Sequence, residues 1–215
     1  MSSLVVNSFE ILTNAKVVFW DFDGVIKDSA DIKVQAYVDM FADHGTEIQS
    51  KVLSRYKVEG GMSRFKLIPL FYRDIVGMSL TDEQLNTKLN LYSEMVVDRV
   101  IQSAYIPGVH DYCRYNFKRQ KFLLVTNTPK SEIDVILKTL GLEKYFEAVF
   151  GAPDLKEEIV RNFLNESDIS AKHCVFVGDS EGDFVAARSN AVPFIYRGVD
   201  DPGYHEYWLP HFQFD

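Results

Sequence analysis

A chain of 215 residues, 47% hydrophobic and 25% charged, is long enough to bury a core without disulfide support. Its two cysteines, Cys113 and Cys174, have neither metal-finger spacing nor the density of a secreted scaffold, and the formal net charge of −8 argues against nucleic acid or an acidic membrane surface as a partner. No apolar run approaches membrane-spanning length and Met1 to Asn14 lacks a basic start followed by an apolar block, so a cytoplasmic protein with no membrane partner is expected.

Residues 1–15 read as a loose or weakly strand-like lead-in. Val17-Val18-Phe19-Trp20 then runs directly into Asp21 and Asp23, and Gly24 breaks the pattern. A short apolar run bounded this way predicts a buried strand of a parallel sheet, with its carboxyl end at the edge where open α/β sheets hold their chemistry. Ile32, Ala36, Tyr37 and Met40 recur at helical spacing, and His44-Gly45-Thr46 closes that helix. Further helices are expected from about Glu47 to Val58 and from Phe65 to Val76, the latter interrupted by Pro69. Thr81-Asp82-Glu83-Gln84 predicts a capped start for a long helix through Val100.

Residues 30 to about 104 therefore form an all-helical block, which Ile106-Pro107-Gly108 ends. Beyond it, helices alternate with strands at Lys121–Thr126, Glu147–Phe150, Cys174–Gly178 and Val192–Tyr196. That alternation predicts an α/β fold, a Rossmann-like parallel sheet flanked by helices. The division expected is a core over 1–27 and 105–215 and a helical insertion over 28–104. The aromatic tail Tyr204 to Phe214 is expected to pack on the core.

Three of the strands end in polar residues: Asp21 and Asp23, then Thr126-Asn127-Thr128, then Asp179 and Asp183. In a parallel sheet these ends share one edge, so distant residues converge. Aspartates without nearby His or Cys select a hard, oxygen-bound cation, Mg²⁺ first among them. Magnesium points in turn to a small phosphorylated substrate, for which Thr126 and Asn127 offer hydrogen bonds to phosphate oxygens. Against this stands the plain reading of Asp179 and Asp183 as helix caps and of Thr126 as a strand end. The five histidines, 44, 110, 173, 205 and 211, show no ligand spacing.

These motifs in this order resemble the haloacid dehalogenase superfamily, most of whose members are phosphatases. The matching residues are Asp21-Phe22-Asp23-Gly24-Val25-Ile26, the strand ending at Thr126-Asn127, a lysine placed at Lys156 in the run Phe150 to Lys156, and Val177-Gly178-Asp179-Ser180-Glu181-Gly182-Asp183. The resemblance implies a helical cap inserted after the first strand and a Mg²⁺-dependent phosphatase. In it Asp21 attacks phosphorus to form an aspartyl-phosphate, and Asp23 serves as general acid and then base. Mg²⁺ would be held by Asp21, the Asp23 backbone carbonyl and Asp179, with Asp183 direct or through water. Lys156 would offset the anionic charge, and Thr126, Asn127 and amides near Gly24 would grip the phosphoryl group. Lys130 is the rival for the motif lysine.

In the insertion, Gly60-Gly61-Met62-Ser63-Arg64 reads either as a loop over the site, with Arg64 touching substrate, or as a helix start with a solvated arginine. A sugar phosphomutase of this group usually carries a histidine soon after the first motif, where this chain has Asp31-Ile32-Lys33. A phosphonate hydrolase would need a Schiff-base lysine, for which Lys33 and Lys51 are positions. The alternative from another class is a catalytically slow module that keeps the metal site. A monomer or a homodimer fits the sequence equally.

Overall fold

The computed structural model describes residues 3–59, 62–199, 203 and 207–213, with the backbone alone at 3–6. The chain separates into two compact units, one made of Met1–Asp28 with Ala104–Asp215 and the other of Ser29–Ser103.

The first unit is a six-stranded sheet in which every pair is parallel. Its strands are β1 (Val17–Trp20), β2 (Lys121–Pro129), β3 (Ala148–Ala152), β4 (Cys174–Gly178), β5 (Phe194–Arg197) and β6 (Tyr207–Leu209), in the order β3-β2-β1-β4-β5-β6. β1 lies between β2 and β4, with Val17 level with both Lys121 and Cys174. The order reverses at β1, so a crevice opens between the carboxyl ends of β1 and β4. All four residues of β1 are fully buried, which is why it reads as an unbroken apolar run and not as an alternation. Val17 and Phe19 join Cys174, Phe176 and Phe194 under helices α8 (Lys156–Glu166) and α9 (Glu181–Arg188). On the opposite face Trp20 meets the rings of Tyr112, Phe122 and Phe212 at 5.5 to 5.8 Å. Tyr112 comes from α6 (Val109–Asn116), and α7 (Lys130–Leu140) joins β2 to β3.

Two expectations are corrected and a third is extended. The lead-in is a helix, α1 (Ser3–Asn14). Val5 and Val6 disfavour a helix locally, but tertiary contacts override that preference. Gln120 Nε2 donates to the carbonyls of Leu12 (2.7 Å) and Ala15 (2.8 Å), its Oε1 accepts from Tyr112 Oη at 2.7 Å, and the Ser8 hydroxyl accepts from the Trp208 amide. Strand β2 runs on to Pro129, and its register with β3 shifts between Val125 and Pro129. A shift of this kind bends the strand and re-aims the side chains beside it. The tail contributes a sixth strand, β6, too short to show as a periodic pattern. Leu209 and Phe212 are buried as expected of core packing, while Tyr204, His205 and Phe214 lie outside the described residues.

The second unit comprises α2 (Ala30–Met40), α3 (Thr46–Glu59), α4 (Arg64–Phe71) and α5 (Asp82–Gln102). Tyr37 gathers its core, 4.3 Å from the Tyr92 ring and 5.7 Å from that of Phe71. Thr81 opens α5 with the capping box that its sequence predicts, paired reciprocally with Gln84. The chain passes through Pro69 without leaving the helix and widens into a π turn over Tyr72–Val76, which Gly77 ends in the left-handed conformation. Gly60 and Gly61 lie outside the described residues.

Gln120→Leu removes three buried hydrogen bonds, to the carbonyls of Leu12 and Ala15 and from the Tyr112 hydroxyl. It is expected to lower stability by about 2 to 3 kcal/mol, read as a lower urea midpoint at unchanged slope, and an unchanged midpoint would refute the assignment.

Candidate active site

The acids of the first motif leave β1 while its ladder is still running, since the Asp21 amide donates to the Val177 carbonyl of β4 at 3.0 Å. The turn beyond is held by short backbone bonds: Ile26 and Lys27 donate to Phe22 O at 2.8 and 3.1 Å, and Gly24 donates to Lys27 O at 2.7 Å. Gly24 has φ +76°, and a Cβ there would lie 1.9 Å from Asp179 Oδ2. Only glycine lets the two loops come this close. A Cβ on Gly178 would likewise meet the Asp183 side chain at 2.3 Å.

Asp21, Asp179 and Asp183 each bring a carboxylate oxygen to within 4.8 Å of the other two. Asp183 is the N3 residue of α9. Its Oδ2 accepts from the hydroxyl (2.6 Å) and the amide (3.2 Å) of Ser180, the N-cap. The capping reading therefore holds for Asp183 through Ser180, and its Oδ1 is turned into the cluster. Lys156, the first residue of α8 and 5% exposed, bridges Asp21 Oδ1 at 2.9 Å and Asp183 Oδ1 at 2.7 Å. Lys130 is exposed on α7 and pairs with Asp134 one turn on. Of the two rival lysines, the structure brings Lys156 into the acid cluster.

The electrostatics follow from three carboxylates facing one ammonium. Burial, and next the charge of Asp183, pushes the Asp21 carboxyl up to about 7 against the pull of Lys156. Burial and the charges of Asp21 and Asp183 drive Asp179 well above the usual carboxylate range. Burial alone would pull Lys156 down, but Asp183 and Asp21 override it and hold the ammonium above its ordinary value.

Strand β2 supplies the other wall. Thr126 is buried and its hydroxyl accepts from the Thr128 amide at 3.2 Å. Asn127 is half-buried beside it. Thr128, in the stretch of β2 where the register shifts, donates its hydroxyl to Asp23 Oδ2 at 3.0 Å. Thr128 and Ser180 are the side chains here to which the motif reading gave no role. Thr128 stands two positions beyond Thr126 and so on the same face of a regular strand, which is the one signal of it in the sequence. Arg64 belongs to the helical unit. Its guanidinium lies 4.5 Å from the Tyr92 ring centroid and donates to Ser93 Oγ at 3.0 Å, and it is 4% exposed, which goes against the second of the two readings, a solvated arginine at a helix start.

Buried acids at a strand-end crevice, bridged by one lysine, make a centre for a hard cation and an anionic reactant. The comparisons with known proteins agree. The family model for haloacid dehalogenase-like hydrolases matches residues 18–196. Phosphoglycolate phosphatase 1 of Pseudomonas aeruginosa is 25% identical over 187 residues, spanning 82% of this chain and 67% of that protein. The phosphorylated carbohydrates phosphatase of Thermotoga maritima is 25% identical over 192 residues, 86% of this chain and 85% of its own. Among solved structures, a β-phosphoglucomutase from Clostridium difficile superposes with a TM-score of 0.72 at 19% identity, covering 92% of each chain. That likeness extends to the fold, and with the family match over most of the sequence it bears out the resemblance read from the motifs: this chain belongs to the haloacid dehalogenase-like hydrolases.

Proposed function

We propose that the protein is a Mg²⁺-dependent phosphatase that hydrolyses a small phosphomonoester through an aspartyl-phosphate on Asp21. The observation that carries this reading is the buried Lys156 bridging Asp21 and Asp183 at 2.9 and 2.7 Å. A lysine so placed favours the ionised form of Asp21 against the burial that raises its pKa, and it engages one carboxylate oxygen while the other faces attack. The named activities of the Pseudomonas and Thermotoga relatives, a phosphoglycolate phosphatase and a phosphatase of phosphorylated carbohydrates, support the same substrate class.

In the first half-reaction an Asp21 oxygen forms a bond to phosphorus as the bond to the leaving alkoxide breaks, and Asp23 delivers a proton to that alkoxide. In the second, Asp23 takes a proton from the attacking water, and inorganic phosphate leaves as the Asp21 carboxylate is restored. Thr128 donates to Asp23 Oδ2 at 3.0 Å, a bond that orients the carboxyl which carries the proton. The Thr126 hydroxyl accepts from the Thr128 amide and keeps its own proton to donate to the phosphoryl group, with Asn127 beside it.

The donor set suits magnesium. It is built of oxygen alone, and ligand atoms within 4.8 Å of one another match the roughly 3 to 4 Å between ligands of an octahedral site with bonds of about 2.1 Å. Asp21, Asp179, Asp183 and the Asp23 carbonyl would hold the ion. When bound, it supplies positive charge that offsets the repulsion between the carboxylates and an incoming phosphate. Ser29–Ser103 enters the chain directly after the first motif, where the family places a cap, and we assign it that role.

Turnover of an aryl phosphate should require Mg²⁺, and Asp21→Asn should reduce kcat at least about a thousandfold. Activity that survives EDTA, or an unimpaired Asp21→Asn, would sink the mechanism. Thr128→Val should cost about tenfold in kcat with little change in KM, and a loss confined to KM would contradict its role on Asp23. The metal-free protein should have a pH dependence to which Asp21 and Asp179 contribute in the same sense. The Asp21 carboxyl titrates near 3.8 when unfolded and about 7 when folded, so between those values the folded state holds the extra proton and stability falls as pH rises. Mg²⁺ should therefore raise Tm more at pH 7.5 than at pH 5, measured by calorimetry. An equal or reversed effect would count against the cluster as a cation site.

A further inference from the structure

Arg197, the last residue of β5, has no part in this hydrolysis. The registers Val177↔Ile195 and Gly178↔Tyr196 bring it level with Asp179 at the carboxyl edge. Phe194 and Tyr196 face the core cluster around Phe19 and Phe176, so strand alternation turns Ile195 and Arg197 to the other face of the sheet. The backbone beneath Arg197 is tied on both sides. Tyr196 is in register with Gly178 and Arg197 with Leu209, and the next carbonyl, of Gly198, accepts from Trp208 Nε1 at 2.6 Å.

On this fixed base the guanidinium is poorly satisfied. Its Nε is buried without a hydrogen-bond partner, and among the described residues Arg197 forms no ion pair. Burial lowers its affinity for its proton, offset by the more distant charges of Asp179 and Asp28. Arg197 as a whole is half-buried, so part of the guanidinium meets solvent, but a buried donor without a partner carries a cost that is recovered when an anion docks on the planar fork. The phosphoryl group belongs over Asp21 at the end of β1. β5 lies two strands away in the order β1-β4-β5, about 10 Å at about 4.8 Å per strand. The Arg197 position thus stands beside the phosphoryl site and not beneath it.

We propose that Arg197 binds a second anionic group, a carboxylate or a further phosphate, carried a few bonds from the scissile phosphoryl group. This rests on the phosphatase reading and narrows it to small esters with an anion at each end. The experiment compares 2-phosphoglycolate, fructose 1,6-bisphosphate and methyl phosphate as substrates of the unaltered protein and of Arg197→Gln and Arg197→Lys. For one of the two doubly anionic esters, Arg197→Gln should lower kcat/KM relative to that for methyl phosphate by at least about tenfold, mainly through KM, with part of it restored in Arg197→Lys. Which ester responds tells carboxylate from phosphate. Equal losses on all three would assign Arg197 to positioning Asp179 and overturn the proposal, as would no loss at all. Calorimetric binding of the same three compounds, with Mg²⁺, to Asp21→Asn with and without Arg197→Gln needs no turnover. A preference that depends on Arg197 in a protein that hydrolyses none of them would remove the phosphatase and leave the anion site standing, whereas absence of that preference would overturn the site.

Discussion

The Lys156 ammonium, shared between Asp21 and Asp183 inside the protein, is the contact on which the rest of the site depends. Carboxylates this deeply buried are tolerated only when their charge is answered locally. Lys156 answers part of it and joins two strands that are far apart in sequence: Asp21 follows β1, Asp183 stands in the first turn after β4, and the lysine arrives from the start of α8. Removing one partner of such a group strands the others, at a cost of about 3 to 5 kcal/mol for a buried pair. The remaining negative charge is what makes the crevice receptive to a cation.

The same economy of space governs the backbone. Gly24 and Gly178 leave no room for a Cβ because the carboxylates of Asp179 and Asp183 occupy it. The shift in register between β2 and β3 falls on the segment that presents Thr126, Asn127 and Thr128. Regular strands could not deliver this many polar groups to one point, since alternate residues would face away. The site is therefore made where the strands stop being regular, on a sheet whose interior is regular and apolar.

This division explains what could be read from the sequence. β1, β4 and the acids beyond them were legible because a buried strand ending in aspartate is a local pattern, as was the Thr81 capping box. Placing Lys156 ahead of Lys130 needed the family resemblance, because nothing in the adjacent residues says which lysine turns inward. α1 was illegible because its helicity is held by Gln120, more than a hundred positions away. β6 is three residues long, and only its pairing with β5 makes it a strand. Thr128 was given no role because its partner is Asp23, again across the sheet. Apart from Ser180, whose partner Asp183 is three residues on, what went unread was a contact between distant segments.

The strand order has a consequence for how the molecule is born. β1 is made near the start of the chain, yet one of its two neighbours is β4, with Val17 paired to Cys174. On the ribosome, where segments emerge in order and parallel pairings between distant segments close slowly, β1 must wait for most of the chain with one edge bare. An apolar ribbon with an open edge is a template for stray pairing. Asp21 and Asp23, at the end of that ribbon, put like charges on any two copies that meet there.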